Sequence, residues 1–340
     1  MNPRPPLALS ALLSLALGAG LLAAASPAQS HAEDAATRTA ATDSIPDDLL
    51  RVDGRAFGRS GALRVALVRA MDALELPFVL RQETPEGVSY RWVPLFGTQG
   101  TGLAGESLLR DGLFAPPTAG VWRLQVRAGE ESQEVRELAV ITQLPFDIKN
   151  GSHLNGYHIG RYPSEAGDGD HGVPMGFIEV TPENQDLHVS EHFQLRQFIT
   201  KDQHNVWPKY VALDLRLIDK LELVLQELRS MGVRAERMTV MSGFRTPQYN
   251  GPGGNGRAKH SRHTFGDAAD VWVQNDGHWY ISDLNGDGRR DTDDVKLMLR
   301  AVDRVEQRYP ELIGGAGLYN SLGDRGPFIH IDVRGQRTRW

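Results

Sequence analysis

Hydrophobic positions change their spacing several times along the chain. Leu7 to Ala25 is an unbroken apolar run rich in Leu and Ala, preceded by a short segment whose one basic residue is Arg4. From about Leu50 to Pro145 short apolar runs are interrupted by turn residues. Val121 to Val126 alternates after Gly120, and Leu138 to Thr142 is a second β-branched run before Pro145. Such strands with Gly and Pro punctuation predict a small all-β sandwich, Ig-like, over residues 50–146. Residues 147–187 are Gly-rich and read as an irregular connecting segment. Beyond His188 the period lengthens. Ser190 is placed to cap a helix opening at Glu191 and continuing through Phe193, Gln197 and Phe198. Val211, Leu215, Ile218, Leu221, Leu225 and Leu228 follow at steps of three and four, predicting a helix from Val211 to Met231 that Gly232 stops. Strands are predicted at Met238–Met241, Ala268–Val273 and Phe328–Val333. A helix with Val295, Met298, Leu299, Val302 and Val305 on one face separates the last two, which makes residues 188–340 an α+β domain.

The apolar run is followed by Ser26-Pro27-Ala28 and Ser30-His31-Ala32, both small-x-small sites, so residues 1–32 read as a cleaved secretory signal peptide. Its length would just span a bilayer, but its acidic downstream flank argues against a retained anchor, and no stable membrane insertion is expected after cleavage. Residues 33–49, rich in Ala, Thr, Asp and Glu, read as a flexible linker. The expected location is periplasmic or secreted. The 340 residues contain no cysteine, which excludes disulfides, iron–sulfur and Cys–zinc sites and a thiol nucleophile. Any metal must be held by His, Asp or Glu. With 37 basic against 43 acidic residues and a net charge of -6, bulk electrostatics gives no support to a nucleic-acid partner.

Two segments place chemistry on strands. In Ser261-Arg262-His263-Thr264-Phe265-Gly266-Asp267-Ala268-Ala269-Asp270, a His in a turn precedes an Asp inside a strand, with Gly266 allowing the reversal. Ala268, Asp270 and Trp272 share one face, while Ala269, Val271 and Val273 share the other. In Phe328-Ile329-His330-Ile331-Asp332-Val333 the same alternation puts His330 and Asp332 together. Neighbouring strands would bring His263, Asp270 and His330 to one point. Three such ligands without a thiol suit Zn²⁺ in an open site, which would make the chain an amidase or peptidase. By residue type alone, the same three groups equally suit a structural His–Asp hydrogen-bond network.

The Ser-x-His-x-x-Gly-x-Ala-x-Asp segment, preceded by Ser242-Gly243-Phe244-Arg245-Thr246-Pro247 and closed by His330-x-Asp332, resembles the M15 zinc peptidases. These are the D-Ala-D-Ala carboxypeptidase and dipeptidase group, and the likeness is greatest to the peptidoglycan endopeptidase branch ending in a Phe-x-His-x-Asp strand. It covers about residues 188–340. The resemblance implies a hedgehog/D,D-peptidase-like α+β fold, zinc on His263, Asp270 and His330, and Arg245 beside the scissile carbonyl, where a guanidinium stabilises the oxyanion. Ser242 and Ser261, in the same motifs, are expected to contact substrate. Many members carry a proton-transfer residue two or three positions before the last ligand, where this chain has Phe328 and Pro327. Asp332 is then the candidate general base or, equally, a residue that orients a ligand; Asp324 is a weaker candidate.

Other motifs compete for attention. His188-Val189-Ser190-Glu191-His192 matches H-x-x-E-H, but a helix capped by Ser190 would split the two histidines. His153, His158 and His171 show no ligand-like spacing and read as loop residues. Asp283, Asn285, Asp287, Arg289 (by its carbonyl), Asp291 and Asp294 fall at EF-hand-like positions with Gly286 at the sixth, resembling a dockerin-type loop over 283–294 and implying a structural Ca²⁺. The combined expectation is a secreted or periplasmic zinc metallopeptidase cutting peptide bonds at D-amino acid centres of peptidoglycan stems, as a cross-link endopeptidase. The alternatives are a D,D-carboxypeptidase, or a non-catalytic wall-binding scaffold that retains the zinc site.

Overall fold

The computed structural model describes residues 49–52, 57–75, 78–80, 87–97, 105–167, 172–251, 257–320 and 326–340. The signal peptide, all of the linker but Leu49, and both His171 and Asp324 lie outside the described residues. None of the described helices is long and apolar enough to cross a membrane.

The site sits on a five-stranded sheet. Its order is Arg237–Ser242, Ala268–Gln274, Phe328–Asp332, Gly315–Tyr319 and Thr338–Arg339, antiparallel except for the last pair. The predicted strands are all present. Ala269, Val271, Val273, Ile329 and Ile331 are fully buried on the apolar side, which the sequence alternation anticipates. Helices α1 (Leu215–Ser230) and α3 (Thr292–Arg308), with the single turn α2 (Pro247–Asn250) between them in sequence, complete this α+β assembly. Along α1, Leu217, Ile218, Leu221, Val224, Leu225 and Leu228 are buried; along α3, Val295, Met298, Val302 and Val305 are. An Asp291/Asp294 capping box opens α3.

Two helix predictions are corrected. Helix α1 begins at Leu215 because Asp214 caps it and Lys209–Val211 pairs as a strand with Gly176–Val180. Val211 satisfies a helical stripe and a β-branched strand equally well, and pairing decides. No α-helix opens at Glu191. Ser190 is fully buried and bridges Leu63, and the nearest helical turn is a 3-10 turn at Leu195–Phe198. The connecting segment is also less irregular than its glycines suggest. It supplies the strand Gly176–Val180 and buries Tyr157, Ile159, Tyr162 and Phe177 in the main core.

Upstream, Val65–Val68, Ala139–Thr142, Gly120–Ala128, Val88–Pro94 and Ser107–Leu108 form one mixed sheet, extended by Glu131–Glu134 on the long strand. Leu50–Val52 pairs separately with Phe78–Leu80. Val65, Val121, Ala139 and Ile141 join the same core as the C-terminal helices, while Tyr90, Trp92, Trp122 and Leu124 belong to a second cluster. Residues 47–340 form one compact unit. Asp219 on α1 accepts the Arg59 and Ser60 amides at 2.7 and 2.8 Å, holding the upstream chain to the helix.

A buried ionic contact ties the helices to the site strand. Lys220 on α1, fully excluded from solvent, donates to Glu306 of α3 at 2.7 Å and to the Asp332 carbonyl at 2.8 Å. Burial pushes its pKa down, opposed by Glu306. Removing one member of a buried pair strands the other. Lys220→Met is therefore expected to cost about 3 kcal/mol of unfolding free energy, read from urea denaturation; an unchanged midpoint would show that Arg339 and the Gly314 amide suffice for Glu306.

Candidate metal centre

His263 is presented by a 3-10 turn, Arg262–Phe265, that ends at Gly266 in the left-handed region, φ 76°. A Cβ there would run into the Ala212 carbonyl, so glycine is required both for the turn and for the close approach. The strand that follows carries Asp270, which lies opposite His330 in the antiparallel register of Ala268–Gln274 with Phe328–Asp332. His263, Asp270 and His330 are each at least 94% buried.

Three ligating atoms converge. His263 Nε2 is 3.2 Å from His330 Nδ1 and 3.3 Å from Asp270 Oδ1, and His330 Nδ1 is 3.0 Å from the same oxygen. A tetrahedral ion bonded at about 2.0–2.2 Å separates its ligands by about 3.3–3.6 Å, so the triangle needs only slight expansion. Among the described residues this is the only group of three or more His, Asp or Glu close enough to hold a metal.

Hydrogen bonds behind the rings aim them. His263 Nδ1 donates to the Gly243 carbonyl at 2.7 Å, which leaves the Nε2 lone pair pointing inward. His330 Nε2 faces Asp332 Oδ2 at 3.1 Å, which turns Nδ1 to the same centre. Burial lowers the pKa of His263 and keeps it neutral. For His330 burial acts in the same direction, but hydrogen bonds to Asp270 and Asp332 outweigh it and raise the pKa. Burial alone would raise Asp270, yet the two imidazoles hold it well below the carboxylate range. The pocket thus favours an ionised carboxylate and a positive charge beside it, which is what a divalent cation supplies.

The two carboxylate oxygens of Asp270 have separate tasks. Oδ1 faces the imidazoles, and Oδ2 accepts from Arg245 Nη2. Arg245 Nε donates to Ser242 Oγ at 2.8 Å, and a register shift between Val240 and Ser242 lies just before that serine. Ser242, read from the sequence as a substrate contact, here orients the guanidinium. Ser261 and Arg245 both line a cleft of about 600 Å³ that contains the three ligating side chains.

Of the two roles that the sequence leaves open for Asp332, its contacts fit positioning. It is fully buried, and both its oxygens are engaged: Oδ1 by the Gly315 amide at 2.7 Å, Oδ2 by His330, and both by Arg334 Nε at 2.9 Å. Burial would raise its pKa, but these donors hold it well below the usual carboxylate range. A carboxylate so stabilised takes a proton poorly at neutral pH. The Arg334 clamp was missed from sequence, although an Arg two residues beyond the Asp of a His-x-Asp strand is a signal that could have found it.

The remaining motifs do not gather. His188 pairs with Gln194 through an isolated bridge, and His192 is held by Glu222 at 2.7 Å, so H-x-x-E-H forms no helical pair. The rings of His153 and His158 stack across a two-stranded hairpin at 4.6 Å. In the acidic loop, Asp283 accepts the Gly286 and Gly288 amides, Asn285 that of Asp287, and Asp287 that of Arg289. The buried Asp294 accepts from Leu284 and Asp291, while Asp291 accepts from Asp293. The loop satisfies its own oxygens as turn and cap bonds, and the structure lends calcium no support.

Loss of the Asp332 carboxylate should loosen His330. Asp332→Asn is expected to weaken divalent metal affinity about 10–100-fold, measured by calorimetric titration of the apoprotein with Zn²⁺; unaltered affinity would show that the strand alone orients the ring.

Residues 192–289 match the family model described as Peptidase M15. That span includes Arg245, His263 and Asp270, while His330 and Asp332 lie beyond it. No curated protein and no solved structure matches the chain. The C-terminal region of this chain holds an M15 peptidase domain.

Proposed function

We propose that the protein is a zinc metallopeptidase of the cell envelope, acting outside the cytoplasm on peptide bonds at D-amino acid centres of peptidoglycan, with cross-links as its substrate. The observation that carries this is the convergence of two correctly tautomerised imidazoles and one carboxylate at 3.0–3.3 Å. His263, Asp270 and His330 would hold the ion, and the all-N/O donor set fits zinc. When bound, zinc supplies a Lewis acid that polarises a carbonyl and lowers the pKa of water to about 7.

The chain's own residues supply orientation and electrostatics. Arg245, anchored by Ser242 and Asp270, holds a fixed positive charge in the cleft and stabilises the oxygen of the scissile carbonyl as charge develops there. Asp332 keeps the His330 ring in its tautomer and orientation. Ser261 contributes a hydroxyl to the cleft wall for substrate.

The cleft is lined by Met241 and Ser242 from the strand Arg237–Ser242 and by Tyr319 from the strand Gly315–Tyr319, which lie on opposite sides of the Asp270 and His330 strands in the sheet order. The resemblance to the endopeptidase branch supports cross-link cleavage over release of a terminal residue. We further propose that the upstream β-rich segment, which shares part of its core with the catalytic part, contributes to holding the polymer.

Incubation with cross-linked wall fragments is expected to give split dimers rather than free D-alanine, resolved by chromatography. A chelator should abolish this cleavage and added Zn²⁺ restore it. Arg245→Ala should lower kcat about 100-fold with metal content retained. Absence of metal-dependent cleavage would instead favour the wall-binding scaffold.

A further inference from the structure

The charge of the cleft goes beyond what hydrolysis requires. Lys201, Arg245, Arg257, Arg262 and Arg334 line it, and Asp270 is the one carboxylate among the described lining residues. Most of these cations have prior engagements. Arg262 is paired with Asp267, Arg334 with Asp332 and Arg245 with Asp270, and Lys201 Nζ donates to the Met241 carbonyl at 2.6 Å.

Arg257 is different. It makes no ion pair among the described residues. Its Nη1 donates to the Tyr249 carbonyl at 2.6 Å, and its Cζ lies 4.4 Å from the centre of the Tyr249 ring. Tyr249 is itself positioned by its amide bond to Thr246 Oγ1, at 3.0 Å. Stacking on an aromatic ring and one backbone bond fix the guanidinium at little further entropic cost on binding, and among the described residues nothing else engages its donor fork. Arg257 and Arg245 line the same cleft, and after burial the Arg257 charge is among the causes that lower the pKa of Arg245. An anion entering a cleft lined by several cations is favoured there, and a planar guanidinium fork matches a carboxylate bidentately.

We propose that Arg257 is a specificity residue that reads a free carboxylate on the peptide substrate, so that the cleft selects acidic peptides over their amidated counterparts. This rests on the peptidase reading and names the substrate class for the same site. The carboxylate can belong to a chain terminus or to a side chain, and both fit the same fork.

The test uses a synthetic D-alanine-containing stem peptide in four forms: free carboxylates throughout, only the terminus amidated, only the side-chain carboxylate amidated, and all amidated. Binding to the full chain is measured by calorimetry before and after chelation, alongside turnover. The acid form is expected to bind about tenfold or more tightly than the fully amidated form, and the two singly amidated forms identify which carboxylate is read. Arg257→Gln should remove most of this discrimination and Arg257→Lys restore part of it. Equal binding of acid and amide by the wild-type chain, discrimination undiminished in Arg257→Gln, or no binding of any form would overturn the proposal. Discrimination in binding without turnover of any form would support the carboxylate clamp and remove the peptidase reading, so the two failures are separable.

Discussion

The antiparallel pairing that sets Asp270 opposite His330 is the constraint on which the rest of the site depends. Directly opposed residues on one sheet face bring their Cβ atoms to about 5 Å, close enough for two side chains to share an ion and too close for two apolar groups to tolerate buried charge. A one-residue slip of either strand would send its ligand to the apolar face, where Ala269, Ile329 and Ile331 lie. The hydrophobic back of the sheet therefore enforces the register that the chemistry needs.

Around that pair, each ligand is held by a group with a different origin. His263 is aimed by a backbone carbonyl, Asp270 by a guanidinium, and His330 by a carboxylate that is itself clamped. Preorganisation of this kind moves the cost of gathering like-acting donors into folding, where burial of the helices against the sheet offsets it. The contact from Lys220 to the Asp332 carbonyl couples the two levels, since the charged link between α1 and α3 ends on the strand that carries His330. Helix packing and ligand geometry are consequently not independent in this protein.

The cleft around this centre is rich in cations. Three of its arginines are paired with acids within the fold, which fixes their positions. Arg257 instead stacks on Tyr249 and makes no ion pair among the described residues.

Much was legible beforehand because periodicity is local. Alternation in Ala268–Val273 and Phe328–Val333 placed Asp270, His330 and Asp332 on their faces, and the stripes of the two long helices survived almost intact. The failures have a common physical cause. Ser190 looks like a helix cap from its neighbours, yet pairing with Leu63, far off in sequence, claims that stretch. The spacing of acids in 283–294 fits an EF-hand equally with and without an ion, because the same oxygens can accept the loop's own amides. Asp332 carries a carboxylate that residue type alone leaves free to be base or brace. Only the converging Gly315 amide and Arg334, brought in by strand order and a turn, commit it to bracing. Side-chain type and strand face were thus determined by the chain's own local pattern, whereas partner, protonation and role were decided by non-local contacts that exist only once the sheet has closed.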